Sequence, residues 1–366
     1  MNYFMPTRLY TGSDCIALNA DALAKLGPSC LIVTDGQAAQ ASGALRDLGD
    51  ALEAAAVAAT GWEGVKENPP VAACIEAGQL AVENDCAFII GVGGGSSLDA
   101  AKAIAVFAAN PGLDEAGFYG MAWEHDPLPI VLVGTTAGTG SEVTKVSVLT
   151  DAAHRKHSIH DDRLYATLAF GDSRHTHSCP QNVTLSCGVD ILAHATESYF
   201  SNKADEISRA FAVRAIRLAA EPLAAAAAGE KLTAEQRCAL YDASILGGLA
   251  INTTGTCFPH NVGYYLTENY RVPHGFASAV FMPAMLACVR AYDAAYADAF
   301  YDEIGQGEAA YAQLVKACLP AFEIAMTSDE IEAALPRWAD NGSVKNTRAH
   351  ITTDTIREVL TGLFVK

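Results

Sequence analysis

The chain has 366 residues, enough for two domains, and 51% hydrophobic with 18% charged residues excludes intrinsic disorder. With 42 Asp and Glu against 24 Lys and Arg the net charge is −18, which repels nucleic acid and anionic membrane unless a local basic patch intervenes. The densest basic stretch, His154-Arg155-Lys156-His157, is flanked by Asp151, Asp161 and Asp162.

Ten cysteines are scattered without a CxxC pair. That pattern fits buried thiols of a reducing compartment better than disulfides or a zinc-thiolate site. Residues 1–9 hold Pro6 and Arg8 and no apolar run, so they do not read as a signal peptide. No stretch reaches the ~20 apolar residues of a membrane span. A soluble, cytoplasmic protein is expected.

In chain order, residues 30–34 (CLIVT) form a short apolar run ending at Asp35-Gly36, a buried strand. Residues 37–57 are Ala/Leu-rich and helical, and 71–84 carry apolar residues at helical spacing. Residues 87–92 (AFIIGV) are a second buried strand, followed at once by Gly93-Gly94-Gly95-Ser96 and a helix over 98–108. Residues 129–133 (PIVLV) are a third strand, closed by Gly134-Thr135-Thr136. This alternation predicts an α/β domain with a parallel sheet covered on both faces. From Asn182 the patterns are long and helical, over 203–226, 233–252, 275–295 and 308–325, and strand signals nearly vanish. The expected organisation is an α/β domain over 1–180 and an all-helical domain over 181–366, divided near Ser178-Cys179-Pro180, with a ligand cleft between them.

Residues 88–102 read FIIGVGGGSSLDAAK. Glycines between a strand and a helix let backbone N–H groups approach a ligand, and the helix N-terminus favours a phosphate. The segment is neither GxGxxG nor a P-loop, and it also suits a plain tight turn capped by Ser96 or Ser97. A second polar loop, VGTTAGTGSEVT over 133–144, again follows a strand's carboxyl end. Two such loops predict a pyrophosphate lying across the sheet edge. Asp35 ends its strand where a carboxylate can bond a ribose diol and repel a 2′-phosphate; a solvated turn residue fits the same position.

Asp190 and His194 are four apart on a helical pattern and share a face. Oxygen and imidazole at that spacing suit a divalent metal, as they suit an ordinary surface pair. His260 follows Pro259, and His274 lies between Pro273 and Gly275. Asp190, His194, His260 and His274 together are a candidate metal set with room for a water or substrate oxygen. His154, His157 and His160 read as a solvated element; His175 and His177 read as sharing a strand face.

These motifs resemble the iron-containing alcohol dehydrogenase family. Its GGGS-x-x-D-x-A-K is matched by Gly93 to Lys102, its T-T-x-G-T-G-S-E by Thr135 to Glu142, and its D-x-x-x-H by Asp190 and His194. The late histidine pair, the second within P-H-G, is matched by His260 and His274; the opening FMPTRLYTGSD and the segment KENPP match as well. Within the family the chain is most similar to the propanediol-dehydrogenase-like branch. The resemblance implies an N-terminal dinucleotide-binding domain and a helical metal-binding domain, the dehydroquinate synthase-like fold. It implies NAD or NADP with Fe²⁺, or Zn²⁺ in some members, and a homodimer or larger homo-oligomer. Carried over by motif, Asp190, His194, His260 and His274 are metal ligands. Gly94, Gly95 and Ser96 hold the pyrophosphate, Asp99, Thr135, Thr136 and Thr139 line the dinucleotide site, Asn68 approaches the cofactor, and Asp35 selects between the two nicotinamide cofactors. In two places the chain departs from the pattern. Tyr264 stands where many members carry a further histidine, and is read either as orienting a substrate hydroxyl or as a packing aromatic beside Tyr265. Where many members carry a cofactor lysine, His157 takes the place by count, with Lys156 adjacent.

The expected activity is hydride transfer between NAD(H), preferred over NADP(H), and a small uncharged primary alcohol or its aldehyde, 1,3-propanediol included. Phe258, Tyr264, Tyr265, Phe276, Cys257 and Val262 lie near the ligands in sequence and predict a narrow apolar pocket. Were Arg271 to turn inward, sulfoacetaldehyde or phosphonoacetaldehyde becomes the rival substrate. A glycerol-dehydrogenase-like or dehydroquinate-synthase-like enzyme is the rival of the same fold, and a nucleotide-binding sensor is the rival outside enzymes.

Overall fold

The computed structural model describes residues 3–365. They form two compact units, one over Phe4–Pro180, the other from Gln181 onward together with Tyr3. The reading of residues 1–9 rests partly on Met1 and Asn2, which lie outside the described residues.

The first unit has eight strands: β1 (Arg8–Thr11), β2 (Ser29–Thr34), β3 (Ala58–Trp62), β4 (Phe88–Gly93), β5 (Ile130–Gly134), β6 (Val146–Thr150), β7 (Lys156–His160) and β8 (Leu168–Gly171). Six of them make an all-parallel sheet in the order β1-β8-β5-β4-β2-β3; β6 and β7 pair separately as an antiparallel hairpin. Every residue of β4 and β5 is buried, because helices cover both faces. Ile89 and Leu132 pack with the helices Val71–Glu83 and Gly95–Ala109, while Phe88, Ile90, Val131 and Val133 pack with Ala44–Ala54 on the other side. Two covered faces explain why these strands read as unbroken apolar runs rather than alternating patterns. From β2 the chain steps outward to β3 and then crosses back to set β4 and β5 on the other side of β2. The carboxyl ends of β2 and β4 therefore flank a topological switch point, where open α/β sheets take ligands.

β1, β3, β6, β7 and β8 all lie outside the three strands predicted from periodicity. β1 and β8 have four residues each, and β3 reads AATGW on a largely exposed edge. The expected single helix over 37–57 is two, Gln37–Ser42 and Ala44–Ala54, because Gly43 at φ 83° takes left-handed backbone between them.

The second unit is helical, with no strand among its described residues. Its long helices start at strong caps: Asp205 accepts from the N–H groups of Ile207 and Ser208, and Thr233 from that of Gln236. The expected helix over 275–295 is broken into His274–Ala279 and Met282–Tyr292, with Pro283 in the first turn of the latter. The helix expected over 308–325 stops at Cys318, since Pro320 forces Leu319 into extended backbone. By length and composition His274–Tyr292 is apolar enough to cross a membrane, but 61% of it is buried, as in a core helix.

Candidate metal centre and dinucleotide crevice

The helix Gln181–Tyr199 is buried along its whole second half, and Asp190 and His194 stand one turn apart on it. His260 enters from the first turn of Phe258–Tyr270, a helix opened by Pro259. His274 is the first residue of His274–Ala279. Its neighbour Gly275 is required by contact, since a Cβ there would lie 1.9 Å from the Ser186 carbonyl oxygen and 3.0 Å from Asp190 Cβ. The P-H-G sequence thus seats His274 directly against the helix that carries Asp190.

One ligand atom from each of Asp190, His194, His260 and His274 lies within 4.8 Å of the others. Asp190 Oδ1 is 3.3 Å from His260 Nε2 and 3.9 Å from the Nε2 atoms of His194 and His274. A four-coordinate ion with bonds of about 2.0–2.2 Å needs donors roughly 3.4 Å apart, close to this spacing. Asp190 Oδ1 is buried and makes no hydrogen bond despite its three imidazole neighbours, as expected of a group that turns its lone pairs toward a cation. The residues therefore fit a divalent metal of the iron or zinc type. Burial alone would raise the Asp190 carboxyl, but His194, His274 and His260 hold it well below the usual carboxylate range. Burial would lower the His260 imidazole; Glu197 and Asp190 on either side push it up to about 10. His274 is the most exposed of the four, at 27%. The ring of Tyr264 lies 5.8 Å from it, so this phenol sits beside the cluster.

The other expected pocket residues are all buried. Cys257, Phe258 and Val262 are fully buried, with Phe258 against Phe281. Phe276 is buried too. Tyr265 donates to Glu330 and packs on Trp338. The helix turns about 100° per residue, so only Tyr264, four after His260, keeps the histidine's face. Arg271 is exposed and caps its helix in left-handed backbone at φ 55°.

In the first unit, the glycine loop after β4 leads into Gly95–Ala109 with Gly94 as N-cap and no side-chain cap, so neither Ser96 nor Ser97 caps it. The two loops touch. A Cβ on Gly94 would lie 3.2 Å from Thr136, and one on Gly95 would lie 2.7 Å from Thr139. Thr135 is buried and its N–H donates to the Gly93 carbonyl. Ser96, Thr136 and Thr139 are half-buried beside this uncapped helix end, an arrangement that suits a phosphate. Asp35 is exposed at the end of β2, and its Oδ1 accepts from the Ala39 N–H. Asn68 takes left-handed backbone at φ 55°, and its carbonyl accepts from Thr150, which ties the E-N-P turn to the end of β6.

Asp99 faces inward more than expected. Its two oxygens accept from Ser141 Oγ and the Val148 N–H, so it braces the second loop from within. Lys102, fully buried, completes that brace by donating to the Ser141 carbonyl and hydroxyl and to the Val146 carbonyl. Burial pushes the Lys102 amine down to about 8 against the pull of Asp99 and Glu142. On β7, Lys156 and His157 point to opposite faces. The charge of Lys156 acts on Asp99, whereas His157 pairs with Asp151 at 3.0 Å and lies against Tyr119. Lys156 is thus a second cation, after Lys102, whose charge reaches Asp99. His154 and His160 are exposed. His175 does not lie in a strand: it sits in the short 3₁₀ turn Ser173–Thr176, buried 3.1 Å from Asp47, while His177 is exposed.

Two contributors are given no role by the sequence. Lys102 is one. Glu197 is the other: fully buried, seven residues after Asp190 on the same helical face, and 2.5 Å from His260 Nδ1.

The chain belongs to the iron-containing alcohol dehydrogenase family. The iron-containing alcohol dehydrogenase model matches residues 6–173, and the model for the C-terminal part of the Fe-containing family matches residues 184–336. The NAD-dependent methanol dehydrogenase of Bacillus methanolicus is 31% identical over 291 residues, 78% of this chain and 75% of that one. The 1,3-propanediol dehydrogenase of Citrobacter freundii is 34% identical over 287 residues, 77% of this chain and 73% of that one. The crystal structure of sulfoacetaldehyde reductase from Bifidobacterium kashiwanohense in complex with NAD⁺ aligns with a TM-score of 0.88 at 26% identity, covering 99% of this chain and 98% of the other. The fold and family expected from the motifs are both borne out.

Proposed function

We propose that this chain is a metal-dependent alcohol dehydrogenase and aldehyde reductase that moves hydride between NAD(H) and a small neutral primary alcohol or aldehyde of about three to five carbons, diols included. The observation that carries the reading is the convergence of three imidazoles on one buried, unbonded carboxylate oxygen in a member of this family. When bound, the metal supplies Lewis-acid polarisation of the substrate oxygen, and the nicotinamide supplies the hydride acceptor or donor. The protein's own residues do the rest. Asp190, His194, His260 and His274 hold the ion. Gly94, Gly95, Ser96, Thr136 and Thr139 receive the pyrophosphate, Lys156 adds a positive charge that reaches Asp99, and Asp99 with Lys102 keeps the second loop in shape. The reading includes a cytoplasmic homodimer or larger homo-oligomer, on the strength of ten cysteines outside disulfides and of family membership.

NAD(H) is favoured because Asp35 sets a negative charge at the switch point, where a 2′-phosphate would meet it. Asp35→Asn keeps an acceptor for the Ala39 N–H and removes only the charge. It is expected to raise the NADPH-to-NADH ratio of kcat/KM by about tenfold or more, since like charges at close range cost on the order of 1 kcal/mol or more. A wild type that prefers NADPH contradicts the role given to Asp35.

Tyr264 orients the substrate hydroxyl through its phenol rather than acting as a base. Tyr264→Phe is expected to lower kcat by about threefold to thirtyfold with metal content unchanged. A smaller loss assigns the ring to packing.

A neutral substrate is favoured because Arg271, the one cation near the late histidines in sequence, is exposed at a helix end. Of propanal, butanal, 3-hydroxypropanal, sulfoacetaldehyde and phosphonoacetaldehyde, the neutral three are expected to give the higher kcat/KM, with Arg271→Ala close to wild type. The activity of the Bifidobacterium protein keeps the anionic aldehyde as the second reading. A preference for an anion that is lost in Arg271→Ala would establish it.

A further inference from the structure

Glu197 lies on the helix that carries Asp190 and His194, and its carboxylate is spent on the neighbouring helix. Oε1 is 2.5 Å from His260 Nδ1, and Oε2 accepts the Cys257 N–H at 2.6 Å. Cys257 is the N-cap of Phe258–Tyr270 but supplies no cap itself. Its thiol turns back to the Glu197 carbonyl at 3.3 Å. Glu197 therefore does two things at once. Its charge sits at the positive end of the helix that presents His260, and it fixes the ring of that histidine. A neutral ring whose Nδ1–H is held by a carboxylate presents its other nitrogen, Nε2, as a lone pair, the form in which it binds a metal. Here Nε2 is buried, has no hydrogen-bond partner, and faces Asp190 Oδ1. Two buried acceptors 3.3 Å apart oppose one another unless a cation or proton lies between them.

We propose that Glu197 is a positioning residue of the metal centre, acting through His260: it sets the tautomer and orientation in which Nε2 can bind a divalent ion. This rests on the metal reading above. A merely structural role, anchoring the helix end, is separable, because that end has a second anchor. The Phe258 N–H donates to Thr347 Oγ1 at 3.1 Å, and that hydroxyl donates onward to the Ser343 carbonyl at 3.4 Å rather than to an imidazole of the cluster.

The test uses metal-stripped full-length protein titrated with Co²⁺, read by the visible d–d absorption of the bound ion, with Zn²⁺ competition against a chelator as a second readout. Wild type is expected to take up one ion. Glu197→Gln keeps an acceptor for the Cys257 N–H and removes the charge on His260. It is expected to bind about 10–100-fold more weakly and with an altered cobalt spectrum, while Thr347→Val binds like wild type. Glu197→Asp serves in its place if the glutamine variant does not fold, and is expected to bind between the two. Equal affinity and an unchanged spectrum in the Glu197 variant, or an equal loss in Thr347→Val, overturns the positioning role. Failure of wild type to take up cobalt or zinc overturns the metal reading itself.

Discussion

His274→Ala is expected to yield a folded protein that has lost most of its metal and about a thousandfold or more of its kcat. One of four ligands disappears, and the carboxylate and two imidazoles that remain hold the ion with one bond fewer, in a geometry built for four. His274 is the informative position because it is 27% exposed at the start of a short helix, so the truncated side chain opens onto a partly solvated face. His260→Ala is expected to lose as much metal but also to destabilise the fold. It strands the buried carboxylates of Glu197 and Asp190, and removing one partner of a buried pair typically costs about 3–5 kcal/mol. Elemental analysis of both variants, beside thermal unfolding of the metal-free forms, checks this. Full metal occupancy in His274→Ala contradicts the ligand set.

Gly95→Val is expected to do the opposite: keep the metal and lose the dinucleotide. The added Cβ would stand 2.7 Å from the Thr139 side chain, with its branches wedged between the two loops. The space a phosphate needs beside the uncapped helix end would then be filled. The expected loss in NADH affinity is about 100-fold or more, on the order of 3 kcal/mol. Fluorescence titration with NADH and metal analysis of the same preparation separate the effects. Unchanged NADH binding removes the glycine loop from the cofactor site.

What the sequence discloses here follows from how much each element announces itself locally. β4, β5 and their loops are legible because strands covered on both faces are unbroken apolar runs and the turns after them need glycine and hydroxyl residues. β3 is not, since five residues on an exposed edge carry no apolar signal. The metal set is legible because Asp190 and His194 keep helical spacing and the two late histidines are fixed by Pro259, Pro273 and Gly275. Glu197 has the right spacing too, seven residues after Asp190, but its role depends on a helix 60 residues further on in the chain, through Cys257. Lys102 is similar: a lysine in a helix reads as solvated, and only the fold shows its amine buried against Ser141 and Val146. Closeness to a ligand in sequence does not by itself bring a side chain to the ligand's face. Neighbours of a ligand in sequence are mostly not its neighbours on the helix face, so Phe258 and Tyr265 turn into the packing while Tyr264 stays beside His274.

Aldehyde reduction is expected to require one ion in the site of Asp190, His194, His260 and His274. The most direct measurement is NADH oxidation with butanal by metal-stripped protein as Fe²⁺ or Zn²⁺ is added back anaerobically. Negligible activity is expected at the start, then a rise in proportion to added metal and a break at one ion per chain. Full activity in protein shown by elemental analysis to be metal-free contradicts it.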